Sequence, residues 1–101
     1  MPMTEDQITA LCESMLRDWG LDRWIIRWED TLPSFQGNLA GHCSWDERVI
    51  RLSREYVLDY ESSDVVAILQ HEIAHARTPE EKFHGPRFDW NLREMRSGCA
   101  T

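Results

Sequence analysis

The stretch His71-Glu72-Ile73-Ala74-His75 narrows what this chain can be more than any other. Its surroundings have helical spacing, and residues four apart on a helix lie one turn apart on the same face. His71 and His75 can therefore bring two imidazole nitrogens to one metal ion. Glu72 sits about 100° round the helix from His71, where its carboxylate can reach a metal-held water without ligating the metal. A structural zinc site uses four protein ligands and no base. A hydrolytic one uses three ligands, an open position and a base. The bland alternative is two histidines and a glutamate spaced this way by chance.

The neighbouring residues argue for the metal. Val65, Ile68, Leu69, Glu72 and Ala76 follow one helical stripe, and Val66, Ile73 and Ala74 follow an adjoining one. A helix this apolar is expected to be largely buried, and buried histidines without partners are costly. Ser62 or Ser63 is the expected N-cap, with Asp64 in the first turn. Pro79 ends the helix near Arg77 or Thr78. His84, just before Gly85-Pro86, is the best third ligand. Glu80, Glu81 and Asp89 are rivals, because one zinc class uses two histidines and a carboxylate. Thr78 and Glu81 stand where the longer metzincin motif needs Gly and His, so that class is disfavoured.

Beyond these residues the sequence resembles the SprT-like zinc metallopeptidases, the family that includes Spartan. The resemblance rests on Ala40-Gly41-His42-Cys43, Ile50-Arg51-Leu52-Ser53, Tyr56-Val57, His71 to Ala76, and His84-Gly85-Pro86 with Phe88. It spans roughly residues 5 to 97. It implies zinc held by His71, His75 and His84, with Glu72 as general base. Family members often add a Cys-rich zinc ribbon or DNA-binding extensions. No C-x-x-C pair occurs here, so the resemblance is to a minimal form.

The remaining chain reads as α+β, in one domain over residues 1–101. Thr4-Glu5-Asp6-Gln7 is a capping box opening a helix with Ile8, Leu11, Met15, Leu16 and Trp19 on its apolar stripe and Gly20 as its stop. Residues 23–28 read as a strand, with Trp24, Ile26 and Trp28 on one face. Residues 39–45 and 48–52 read as two strands around Asp46-Glu47, with Val49 and Arg51 facing away from Ile50 and Leu52. A short helix is expected within 54–60, the metal helix at 63–77, and a last helix at 86–97. The expected architecture is a helix, about three mostly antiparallel strands, then two helices over one face.

Composition limits the partners. A net charge of −7 repels phosphate backbones, which disfavours direct nucleic-acid binding, although the family resemblance keeps that partner in view. Arg87, Arg93 and Arg96 read as a solvated helix face. Cys12, Cys43 and Cys99 are an odd, widely spaced set, read as free thiols in a reducing compartment. The N-terminus lacks a signal pattern and no apolar run could span a membrane, so a cytoplasmic location is expected.

The expected function is zinc-dependent peptide hydrolysis, with protein or peptide substrates. An edge strand beside the metal could hold an extended peptide. His42 and Tyr56 are candidate substrate contacts, and Tyr60 is a further candidate oxyanion helper. The alternative is a non-catalytic interaction module stabilised by its metal, such as an inhibitor or accessory protein. Glu72 argues against it, because a purely structural site has no use for a base.

Overall fold

The computed structural model describes residues 2–35, 37–79 and 85–96. Helix α1 (Glu5–Asp18) opens on the expected capping box. Thr4 Oγ1 accepts from the Gln7 N–H, and Gln7 Oε1 accepts from the Thr4 N–H. The helix closes through Gly20, whose φ of +75° suits glycine. The Gly20 N–H donates to Arg17 O and the Leu21 N–H to Leu16 O, the Schellman pattern.

Strand β1 (Ile25–Glu29) follows. Ile26 and Trp28 are half-buried while Ile25 and Arg27 are exposed, as alternation requires. Trp28 Nε1 donates to Thr9 Oγ1 at 2.8 Å, fixing β1 to α1. A small ribbon, β2 (Pro33–Ser34) with β3 (Gly37–Asn38), comes next and was not anticipated. Two-residue strands carry no periodicity to detect.

Strands β4 (Gly41–Ser44) and β5 (Val49–Ser53) pair antiparallel around a turn in which Arg48 takes φ 56°. Strand β1 joins the other side of β5 in parallel, giving the order β1-β5-β4. Two of the three strand pairings are thus antiparallel and one is parallel. Because β5 is central, Val49 is buried along with Ile50 and Leu52.

Three helices complete the described chain: α2 (Arg54–Val57), α3 (Ser62–Arg77) and α4 (Pro86–Arg96). Neither Ser62 nor Ser63 caps α3. Glu61 is the N-cap, with extended backbone and no side-chain cap bond, because its carbonyl takes the Asp64 and Val65 N–H groups. Arg54 ties three elements together, reaching Glu5 at 2.6 Å and Asp30 at 3.0 Å. This cluster is solvated and contributes little to stability.

Helix α1 packs on β1 and α3, α3 packs on β4, and α4 packs on α3. Ile8, Cys12 and Leu16 of α1 meet Ile50 and Leu52 of β5, and Val65, Leu69 and Ile73 of α3. Phe88 and Met95 of α4 close the cluster. Each wholly buried aliphatic side chain contributes about 1.5–3 kcal/mol relative to exposure. No helix among the described residues is long and apolar enough to cross a membrane. Cys12 and Cys43 are buried free thiols, each pushed up to about 12 by burial.

Strand register sets up the site. Gly41 lies opposite Leu52 and Cys43 opposite Ile50, so both occupy the face that the helices cover. His42, opposite Arg51, leaves β4 from the other face.

Candidate metal centre

The second half of α3 lies against β4 and carries the paired histidines. Their Nε2 atoms stand 3.2 Å apart. Two nitrogens on one tetrahedral zinc, each about 2.0–2.1 Å from it, would be about 3.3–3.4 Å apart. A proton shared between the rings would also fit that spacing, so the surroundings decide. Phe88, nearly fully buried on α4, packs against both rings at centroid distances of 5.2 Å and 4.5 Å. That contact limits how the imidazoles can turn. Trp45, from the turn after β4, meets His75 edge-on at 6.4 Å.

Glu72 is only 5% exposed. Burial pushes its carboxyl up to about 7. No hydrogen bond or ion pair to it occurs among the described residues. A Cβ placed on Gly41 would lie 3.2 Å from both Glu72 Cγ and Glu72 Oε2. The bare backbone at Gly41 thus makes room for the carboxylate between helix and strand. A buried carboxylate without a counter-charge is costly, and a cation on the adjacent imidazoles would offset that cost. Two imidazoles at ligand spacing beside a carboxylate short of positive charge fit part of the donor set of a divalent metal site.

Two cavities open beside these residues. One, of about 270 Å³, is lined by Gly41, His42, Cys43, Trp45, His71, Glu72 and His75. The other, of about 630 Å³, runs from His71 and Glu72 along Leu39, Ala40, Gly41, Ala67 and Ile68 to Tyr60, Asp64 and Arg96. Tyr60 therefore borders the site, whereas Tyr56, on α2, lines neither cavity and is 37% exposed. His42 lines the smaller cavity, although its pairing with Arg51 sends its Cβ to the face of the sheet away from the helices.

His84, Glu80 and Glu81 lie outside the described residues, as does Cys99. Among the described residues no third His, Cys, Asp or Glu joins His71 and His75 in a ligand group. Asp89, exposed in the first turn of α4, is thereby not part of such a group. Sequence reasoning missed three neighbours: Gly41 as the carboxylate's space, Phe88 as the imidazoles' backing, and Trp45. The signals for Gly41 and Phe88 were their places in the resemblance blocks. Trp45 gave none by itself.

The SprT-like family model matches residues 7–100. The fold is similar to the metallopeptidase zymogen of Pyrococcus abyssi abylysin, with a TM-score of 0.68 and 24% identity over 86% of this chain and 77% of that one. It is also similar to the metallopeptidase zymogen of Methanocaldococcus jannaschii jannalysin, with a TM-score of 0.67 and 20% identity over 86% and 79%. Curated protein sequences give no significant match. With nearly its whole length matched, and with the paired histidines and the glutamate set against an edge strand, the chain belongs to the SprT-like family.

Proposed function

We propose that this protein is a zinc-dependent endopeptidase in which His71 and His75 hold the metal and Glu72 is the general base. One juxtaposition carries the reading: a buried carboxylate lacking a counter-charge, on the same helix turn as two imidazoles whose nitrogens stand 3.2 Å apart. The family resemblance supplies His84 as the third ligand. Zinc, when bound, lowers the pKa of a water to about 7 and polarises a peptide carbonyl.

The rest of the work falls to side chains and backbone of this chain. Glu72 takes a proton from the attacking water and delivers it to the leaving amine. Phe88 keeps both rings in place. Strand β4 has one strand neighbour among the described residues, so its other edge can take an extended peptide as a further strand. Tyr60 and His42, which line the two cavities, and Tyr56 on α2 are the substrate-contact candidates.

The test pairs metal content with hydrolysis. Wild type should carry about one zinc per chain and cleave an unfolded protein substrate. Glu72→Gln should keep the zinc and lose cleavage, whereas His71→Ala should lose both. Full cleavage by Glu72→Gln would remove the glutamate from the mechanism. Zinc retention by Glu72→Gln, with no cleavage by wild type of any unfolded protein or peptide offered, would favour the metal-stabilised interaction module instead.

A further inference from the structure

Pro79 leaves a gap in the helix that carries the histidines. In a continuous helix the His75 carbonyl would accept from the N–H of residue 79, and proline has none. The last turn of α3 is closed by other donors. The Thr78 hydroxyl donates to Ala74 O at 2.7 Å, and the Thr78 N–H donates to His75 O at 3.1 Å. The shortest bond to His75 O comes from outside the helix: Trp45 Nε1 donates to it at 2.7 Å, from 30 residues away in sequence. The same indole stands edge-on to the His75 ring and lines the smaller cavity.

From this geometry we infer that Trp45 is a positioning residue for His75. It fixes the backbone of that histidine to the β4–β5 turn, so that the Nε2 atoms of His71 and His75 keep their separation where the helix ends. The inference rests on the metal-binding reading of His75. Without the indole, the His75 carbonyl would keep the Thr78 N–H but lose its bond to the β4–β5 turn. A ligand on a fraying helix end would then have to be ordered again each time metal binds. Partners that orient a ligand in this way typically contribute 10–100-fold in metal affinity.

Trp45→Phe tests it, since phenylalanine keeps an aromatic ring edge-on to His75 and removes the N–H. Zinc affinity, measured by competition with a chromophoric chelator, should fall about tenfold. The visible absorption of the cobalt(II)-loaded chain should change, and cleavage should lose kcat with KM nearly unchanged. A merely structural tryptophan would lower the melting temperatures of the zinc-free and zinc-loaded chains together and leave zinc affinity, the cobalt spectrum and kcat at wild-type values. That result would overturn the inference while leaving the peptidase reading intact. A wild type that takes up no zinc would overturn both.

Should Trp45→Phe fail to fold, the wild-type chain gives the answer by nuclear magnetic resonance. The indole proton of Trp45, assigned through its contacts with the His75 ring, should exchange slowly and shift when zinc is added. An indole signal that exchanges freely and ignores zinc would overturn the inference.

Discussion

Removing the charge from Glu72 should stabilise the metal-free protein above neutral pH. Burial raises this carboxyl from its ordinary 4.5 to about 7, and the side chain is only 5% exposed. The folded chain therefore holds this proton more tightly than the unfolded chain. That preference favours folding fully below pH about 4.5 and is lost as pH rises through about 7. The size of the effect, at 1.36 kcal/mol per pH unit between those values, is about 3 kcal/mol. Glu72→Gln keeps the shape and has no proton to lose. With zinc stripped by chelator, urea unfolding of wild type and variant should give similar stabilities near pH 4. At pH 8 the variant should be more stable by about 3 kcal/mol, a large share of the stability of a domain this size. Comparing the two proteins cancels the titrating groups that lie far from Glu72. Parallel stability curves from pH 4 to 8 would mean that water reaches the carboxylate in the folded state, and the reasoning from burial would fail.

Three further outcomes follow from geometry. Gly41→Ala should leave the fold intact but displace the Glu72 carboxylate by a few tenths of an ångström, lowering kcat about tenfold without loss of zinc; unchanged kcat would show that the carboxylate tolerates the contact. Gly20→Ala should cost about 1 kcal/mol in chemical denaturation, because an alanine must adopt φ +75° to keep the Schellman turn. Leu69→Ala, at a wholly buried position on α3, should cost about 2–5 kcal/mol; a smaller loss would mean the core collapses around the gap.

The elements legible in the sequence are those written in local terms. The Thr4–Gln7 capping box, the Gly20 stop, the alternation of Trp24, Ile26 and Trp28, and the apolar helix before His71 all depend on residues within a few positions of each other. The parallel pairing of β1 with β5 is a long-range event, and no residue on either strand encodes its direction. The start of α3 was misplaced because serines so often cap helices, whereas here the backbone of Glu61 satisfies the first turn without a side chain. At the site the motif named the histidines and the glutamate. Their supports, Gly41, Trp45 and Phe88, come from a strand, a turn and another helix, and periodicity says nothing about who meets across such distances. Which of Tyr56 and Tyr60 borders a cavity could not be read in advance, because it depends on how the chain turns after α2.

The central strand obtains its two neighbours at very different entropic cost. Strand β4 reaches β5 through a tight turn, a closure of the kind that takes microseconds. Strand β1 must be brought back from roughly two dozen positions away, Ile25 beside Val49, at a loop-closure cost of about 3 kcal/mol. The hairpin that presents Gly41 to the carboxylate can therefore form early, and β1 docks later together with α1, to which Trp28 is bonded. The parallel edge, at the opposite edge of the sheet from the chemistry, is therefore expected to set the folding rate. Substitutions in β1 should accordingly change how fast the protein assembles while leaving the histidine pair and its cleft as they are.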